Sequence, residues 1–248
     1  RTGLRRAARA SARLGVRRAV ASNAEADVHA LGGATAAEAT YAVINKSLPA
    51  PQAFNPLAVP PRGDPVRARA LLQGSGMALP IRITVAYRKG TMADKAMAAL
   101  QQGWQDAGFL VTLEGLESDY FTTIASVSNS RRYDVMWAVG SAEWPSGSSV
   151  ISSLFDSRVN LTASSSGQDY GRFDSAAFNA RIDAAAVIPD ASKREKAWGE
   201  LDQELSAQVA AIALTNQKSV FVHGGGVKSY IDNQALGGTV DLATVAVQ

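Results

Sequence analysis

The sequence contains no cysteine and only two histidines, His29 and His223. Without thiols there is no disulfide, no thiolate nucleophile and no cysteine-ligated metal. The two imidazoles are far apart, and neither has a second metal ligand at a zinc-site spacing, so no metal site is expected. Long apolar runs are also missing. The longest, Val135–Val139 and Val209–Leu214, are the length of a strand, well below the ~18 residues a membrane-spanning helix needs. The usual signatures of catalysis are absent. There is no Gly-x-Ser-x-Gly elbow and no Gly-x-x-x-x-Gly-Lys-Ser/Thr loop, and Gly224–Gly226 reads as a turn. Carboxylate pairs such as Glu114/Glu117 or Asp232/Asp241 are no more frequent than this composition supplies, and nothing sets them across one cleft as glycoside hydrolysis requires. The expectation is a protein that binds rather than catalyses, with no cofactor.

Acidic residues are missing from one stretch. Residues 1–18 hold seven arginines (1, 5, 6, 9, 13, 17 and 18) and no Asp or Glu, although the chain as a whole carries only +3. The remainder is therefore mildly acidic. An arginine arm can touch nucleic acid or anionic lipid. No aromatic residue interleaves these arginines to stack on bases, so a solvated arm or helix end is the simpler expectation, and no nucleic-acid partner is expected. Residues 1–15 are not followed by an apolar segment, so they do not read as a signal peptide. The first residue is Arg1 rather than Met, which leaves an upstream extension open.

What is present is an ordinary folding composition. The chain has 248 residues, 46% hydrophobic and 19% charged, enough for one large domain or two small ones. Apolar spacing predicts a helix over 16–31, stopped by Gly32-Gly33. A proline-rich extended connection follows over 45–65, and Asp64-Pro65 reads as the N-cap and first turn of a short helix ending at Gly74. Residues 81–87 alternate as a strand. Residues 92–107 place Ala93, Ala96, Met97, Leu100 and Trp104 on one helical face, with Gly108 as the stop, and 109–113 is a second strand. This order predicts a βαβ unit with parallel strands. Ser118 is expected to cap a short helix, and Tyr133–Val139 to form a third strand buried on both faces. Helices are expected over Ser148–Phe155, from Asp174 or Ser175, and from a Ser192/Glu195 capping box. Strands are expected at Ile212–Leu214 and Val220–Val222.

The segment from Tyr133 to Gly147 runs from a strand into an acid beside an aromatic, Glu143-Trp144. In open α/β sheets ligands sit beyond the carboxyl ends of the strands. An acid there can pair with a cationic group and a Trp can wall it. From spacing alone a second reading stands equally: Trp144 plugs the core and Glu143 is merely solvated.

At these residues the sequence resembles the extracytoplasmic solute-binding proteins of peptide-type ABC importers (solute-binding protein family 5). Val16-Arg17-Arg18-Ala19-Val20-Ala21, Leu31-Gly32-Gly33, Gly63-Asp64-Pro65 with Arg67–Leu72, Tyr133-Asp134, Ala142-Glu143-Trp144-Pro145, Leu154-Phe155-Asp156, Phe173-Asp174 and Lys193-Arg194 with Ala197-Trp198 occur in the family's order. The resemblance covers roughly residues 16–248. It implies an α/β, periplasmic-binding-protein-like type II lobe, a mixed sheet flanked by helices, with the first lobe largely missing. Three stretches are implied: 1–15, an Arg/Ala-rich leader; 16–215, the second ligand-binding lobe; and 216–248, a C-terminal segment that would return to the first lobe. The implied function is non-covalent capture of a peptide or similar small solute for ABC permease subunits, outside the cytoplasm and with a membrane anchor in the full-length protein. The alternatives are a truncated remnant without transport activity, or association with nucleic acid or membrane through the arginine arm. By motif position the resemblance makes Glu143, Trp144, Trp137 and Tyr120 ligand-facing, Tyr120 only with a one-residue gap. The sequence departs from the family at Glu143, where Asp is usual, at Gly140, where Trp is usual, and at Ser22–Ala26, where a basic residue is lost.

Overall fold

A computed structural model describes residues 14–50, 53–233 and 239–247, without the side chains of residues 233 and 239. Most of the arginine-rich leader, with Arg1, Arg5, Arg6, Arg9 and Arg13, lies outside the described residues. The chain begins with helix α1 (residues 14–21) and α2 (Ala24–Ala30), followed by strand β1 (Ala37–Ala39) and helix α3 (Pro65–Gln73). Next come β2 (Ile81–Arg88), α4 (Thr91–Ala107), β3 (Phe109–Leu116), the short helices α5 (Tyr120–Ala125) and α6 (Val127–Ser130), and β4 (Val135–Met136). Helices α7 (Ser148–Phe155), α8 (Ser157–Asn160), α9 (Ala176–Ala186) and α10 (Ala191–Gln208) lead into β5 (Thr215–Gln217), β6 (Val227–Asn233) and β7 (Thr239–Val247).

The expected βαβ unit is there. β2 pairs in parallel with β3, from Ile81 opposite Phe109 to Arg88 opposite Leu116, and with β4 on its other side, giving the order β3-β2-β4. Helix α4 buries Ala96, Met97, Leu100 and Trp104 against Ile83, Val85 and Phe109, and Gly108 ends it in the left-handed conformation. Burial of each large apolar side chain is worth about 2 kcal/mol. Asp64 caps α3 by accepting the Arg67 N–H, with Pro65 in the first turn. The glycine before it is required by space: Gly63 has φ +74, and a Cβ would lie 2.8 Å from the Ser22 carbonyl oxygen.

A second apolar cluster joins α7, α9 and α10 through Ile151, Phe155, Phe178, Ile182, Trp198 and Leu201. Polar groups cross it. Asp202 is fully buried in α10 and accepts the backbone N–H groups of Val43 at 3.0 Å and Ile44 at 2.9 Å. Ser206, one turn on, donates to the Tyr41 carbonyl at 2.7 Å. The extended segment 41–44 has few backbone partners of its own and is hung on the helix by these bonds.

Several expectations are corrected. The helix predicted over 16–31 is broken at Ser22-Asn23. Asn23 accepts the Ala26 N–H and starts α2 afresh, while Ser22 receives the Trp104 indole N–H at 3.0 Å. The third strand is confined to Val135–Met136 and is half-buried, with Val139 53% exposed, because β4 is the sheet edge and lacks an outer neighbour among the described residues. Asp119, not Ser118, precedes α5, without a side-chain cap bond. The N-cap of α10 is Asp190, which accepts the Lys193 N–H; Glu195 of the supposed capping box is engaged elsewhere. Near the C-terminus the strand is Thr215–Gln217, paired antiparallel with β1, and residues 220–222 form no strand, Val222 being 94% exposed. β6 and β7 form an antiparallel hairpin that was not predicted. Arg17 and Arg18 are not part of a free arm. Arg17 donates to the Leu71 carbonyl, and Arg18 donates to the Asp134 carbonyl at 2.6 Å.

Two predictions follow from the buried acids. Asp202→Ala would strand two backbone donors and cost about 3 kcal/mol, read as a lowered urea midpoint at neutral pH with the denaturant slope unchanged. Burial pushes the Asp202 carboxyl up to about 6 and that of Asp169 up to about 7. Both therefore keep a proton in the folded state where the unfolded chain has lost it. Their contribution favours folding at pH ~4 and is lost as pH rises to ~7. Stability should fall across that window, and Asp169→Asn, which cannot titrate, should flatten the slope by about 3 kcal/mol over it.

Candidate ligand-binding site

The chain leaves the carboxyl end of the parallel sheet through the loop that follows β4. The start of β4 is clamped by Asp134: its N–H donates to the Thr84 carbonyl at 2.9 Å, and its carboxylate accepts the Thr84 N–H at 2.8 Å. One residue past the strand, the Trp137 N–H donates to the Ala86 carbonyl at 2.9 Å. Its own carbonyl accepts the Tyr120 hydroxyl at 2.5 Å, and that hydroxyl also reaches the Ala86 carbonyl at 3.0 Å.

This settles the surroundings of Tyr120. It is fully buried, its ring lies 6.4 Å from that of Trp137, and burial raises its hydroxyl above the usual tyrosine range. Tyr120 is thus part of the frame that sets Trp137, and as folded here it offers no surface to a ligand. Trp137 is half-buried between two apolar clusters. Beside it Phe121 stacks on Tyr170, with centroids 6.1 Å apart. Tyr170 sits on a tight segment in which Asp169 is buried, accepting the N–H groups of Arg172 and Phe173, with Arg172 at φ +54.

Further along, Ala142 is buried in the helical cluster, and Gly147 is pressed against the core so closely that a Cβ would meet that of Trp198 at 2.6 Å. Between these two fixed points Glu143, Trp144 and Pro145 are exposed. Trp144 is 43% exposed and belongs to none of the three apolar clusters, so it does not plug the core. Its indole N–H donates to the Ser148 hydroxyl at 2.9 Å. Glu143 has no hydrogen-bond or ion-pair partner among the described residues, leaving its carboxylate open to a cation.

The structure therefore brings Tyr120 and Trp137 together and sets Glu143 and Trp144 apart from them, with no hydrogen bond, ion pair or ring contact between the two pairs among the described residues. Reading the sequence missed the groups that fix the loop, namely Asp134, Ser146, Ser148 and Glu195. One signal was available for Glu195. It falls on the helical face of Trp198 and Asp202, where a charged residue marks a buried tie rather than a solvated one.

Other surroundings offer less. A shallow hollow of about 490 Å³ bordered by Glu38, Tyr41, Lys46, Phe54 and Asn216 contains none of the four candidate residues. Among the described residues no cluster of three or more potential ligands could hold a metal ion, and no helix is long and apolar enough to cross a membrane.

No family model and no curated protein sequence matches the chain. Solved structures do. A clavulanic acid biosynthesis oligopeptide-binding protein 2 superposes with TM-score 0.80 over 94% of this chain and 43% of its own, at 19% identity. The Escherichia coli murein tripeptide-binding protein MppA gives 0.66 over 83% and 39%, at 15% identity. Haemophilus influenzae OppA, in complex with the peptide RPPGFSPFR, gives 0.61 over 82% and 39%, at 17% identity. The chain thus spans less than half the length of the structures it matches. The first two are named as peptide-binding proteins and the third holds a peptide, and at these identities the likeness is one of fold. The chain has a mixed α/β fold that corresponds to part of a periplasmic-binding-protein-like architecture.

Proposed function

We propose that this chain is a ligand-binding part of an ABC importer's substrate-binding protein, and that it captures short peptides without covalent chemistry. The observation that carries the reading is the loop after β4. It is pinned at Ala142 and Gly147 and holds an unpaired carboxylate and an exposed indole at consecutive positions. In this reading Glu143 meets the ligand's ammonium group, Trp144 walls it, Trp137 lines the deeper side and Tyr120 holds Trp137 in place. The peptide ligands of the structurally similar proteins fit the same chemistry.

The segment 216–248 takes its own place in the proposal. β6 and β7 leave Ile231, Leu242 and Val247 exposed, and Phe221 and Val222 just before them are exposed as well. A two-stranded sheet is marginal alone in water, and this apolar surface suits packing against a first lobe. The partners would be permease subunits, and the location extracytoplasmic.

Binding by the 248-residue chain alone should be weak. A micromolar ligand has about −8 kcal/mol of binding free energy. With one lobe the contacts are roughly halved while the cost of lost translation and rotation is paid in full. The expected dissociation constant of the isolated chain for trialanine is above about 1 mM, and a micromolar calorimetric signal would contradict this. In an NMR titration with trialanine, shifts should centre on Glu143 and Trp144. Glu143→Ala should weaken binding about fivefold or more without moving the unfolding midpoint, and N-acetyl-trialanine should bind the wild-type chain as poorly. Equal affinity for the acetylated peptide would refute the role given to Glu143.

A further inference from the structure

Trp144 is held by a chain of hydrogen bonds that runs inward to α10. Its indole N–H donates to Ser148 Oγ at 2.9 Å, and Ser148 Oγ lies 3.0 Å from Ser146 Oγ. Ser146 Oγ in turn donates to Glu195 Oε1 at 2.7 Å, and Glu195 Oε2 accepts the Gly147 N–H at 2.9 Å. Glu195 is only 8% exposed. The direction of every bond follows from its ends. An indole N–H can only donate, and a carboxylate can only accept. The single proton of Ser146 is committed to Glu195, so Ser148 must donate to Ser146, which leaves the lone pairs of Ser148 to receive the indole. Packing holds the ring less completely than it holds a core side chain, since Trp144 is 43% exposed and makes no ring contact among the described residues.

We infer that Ser146, Ser148 and Glu195 are positioning residues that fix the plane of the Trp144 indole beside Glu143 and set the site's preference for an ammonium-bearing ligand. A one-way chain ending on a carboxylate polarises the indole N–H toward Ser148 and enriches the ring in electron density. An electron-rich face attracts a cation more strongly. Without the chain the ring would be less restrained, and part of the cost of ordering it would fall on the ligand. This inference rests on the peptide-binding reading of the loop.

The test uses the whole chain with ¹⁵N-labelled tryptophan, the Trp144 indole signal being identified by Trp144→Phe. Ser148→Ala should raise hydrogen exchange at the Trp144 indole about tenfold and leave the signals of Trp104, Trp137 and Trp198 and the melting temperature in place. Trialanine affinity should fall about threefold, and Ser148→Thr, which keeps the hydroxyl, should restore both. Unchanged indole exchange in Ser148→Ala would overturn the chain. Faster exchange with unchanged trialanine affinity would overturn its positioning role. If trialanine shifts nothing in the wild-type chain at tens of millimolar, the peptide reading fails and the positioning role with it, while the exchange result still decides whether the chain holds the ring.

Discussion

The structure depends on one face of α10 on which polar and apolar side chains alternate. Glu195, Trp198, Asp202 and Ser206 follow one another at helical spacing, all buried or nearly so. Trp198 supplies the apolar contact that fills the cluster with Ile44 and Gly147. The other three meet backbone or hydroxyl groups of segments with little regular structure of their own, residues 41–44 on one side and 146–147 on the other. Burying these carboxyls costs desolvation, and the shift of Asp202 shows it. The return is that two irregular stretches acquire fixed positions against a rigid helix.

The parallel sheet sets where that rigidity is used. β2 lies at the centre, with β3 and β4 on either side, so the carboxyl ends of all three point to the same edge. Asp134 behaves as an added rung of the ladder, with its side chain standing in for a backbone acceptor opposite Thr84. Arg18, from the N-terminal helix, caps the Asp134 carbonyl. A strand of only two residues is thereby held firmly enough to aim the loop beyond it. The aromatic frame of Tyr120 and Trp137 fixes the loop's root, and α10 fixes its far end.

The residue pattern disclosed the parts of the fold that rest on periodicity. The α4 stripe, the two strands around it, the Asp64-Pro65 start and the α9 face all follow from spacing and caps. What it did not disclose depends on tertiary partners. Ser22-Asn23 carries an unbroken apolar pattern, and only the indole of Trp104 and the side chain of Asn23 reveal the break. Ser192-x-x-Glu195 fits a capping box, yet Asp190 two residues earlier competes for the same end and wins because Glu195 is drawn across to Gly147. The run 133–139 is apolar enough for a central strand, but the order of the sheet makes it an edge. At the site, the exposed pair Glu143-Trp144 was visible as an acid beside an aromatic, whereas the supporting serines were not, since hydroxyls in a loop carry no periodic signal.

The support also has a thermodynamic consequence. A ligand that orders a side chain on arrival loses about 1 kcal/mol of its binding energy for each one. In the proposed arrangement the hydrogen bonds from Trp144 through Ser148 and Ser146 to Glu195 are formed on folding, so their cost does not fall on a ligand. Folding can absorb such a cost, because the α10 cluster is well packed around Trp198, Leu201 and Leu205. A weakly held ligand cannot, and a half-site that buries little of it has the least to spare. If the loop is the proposed single-sided site, its rigidity matters most there, because an exposed indole on a loop pinned at Ala142 and Gly147 needs little further ordering.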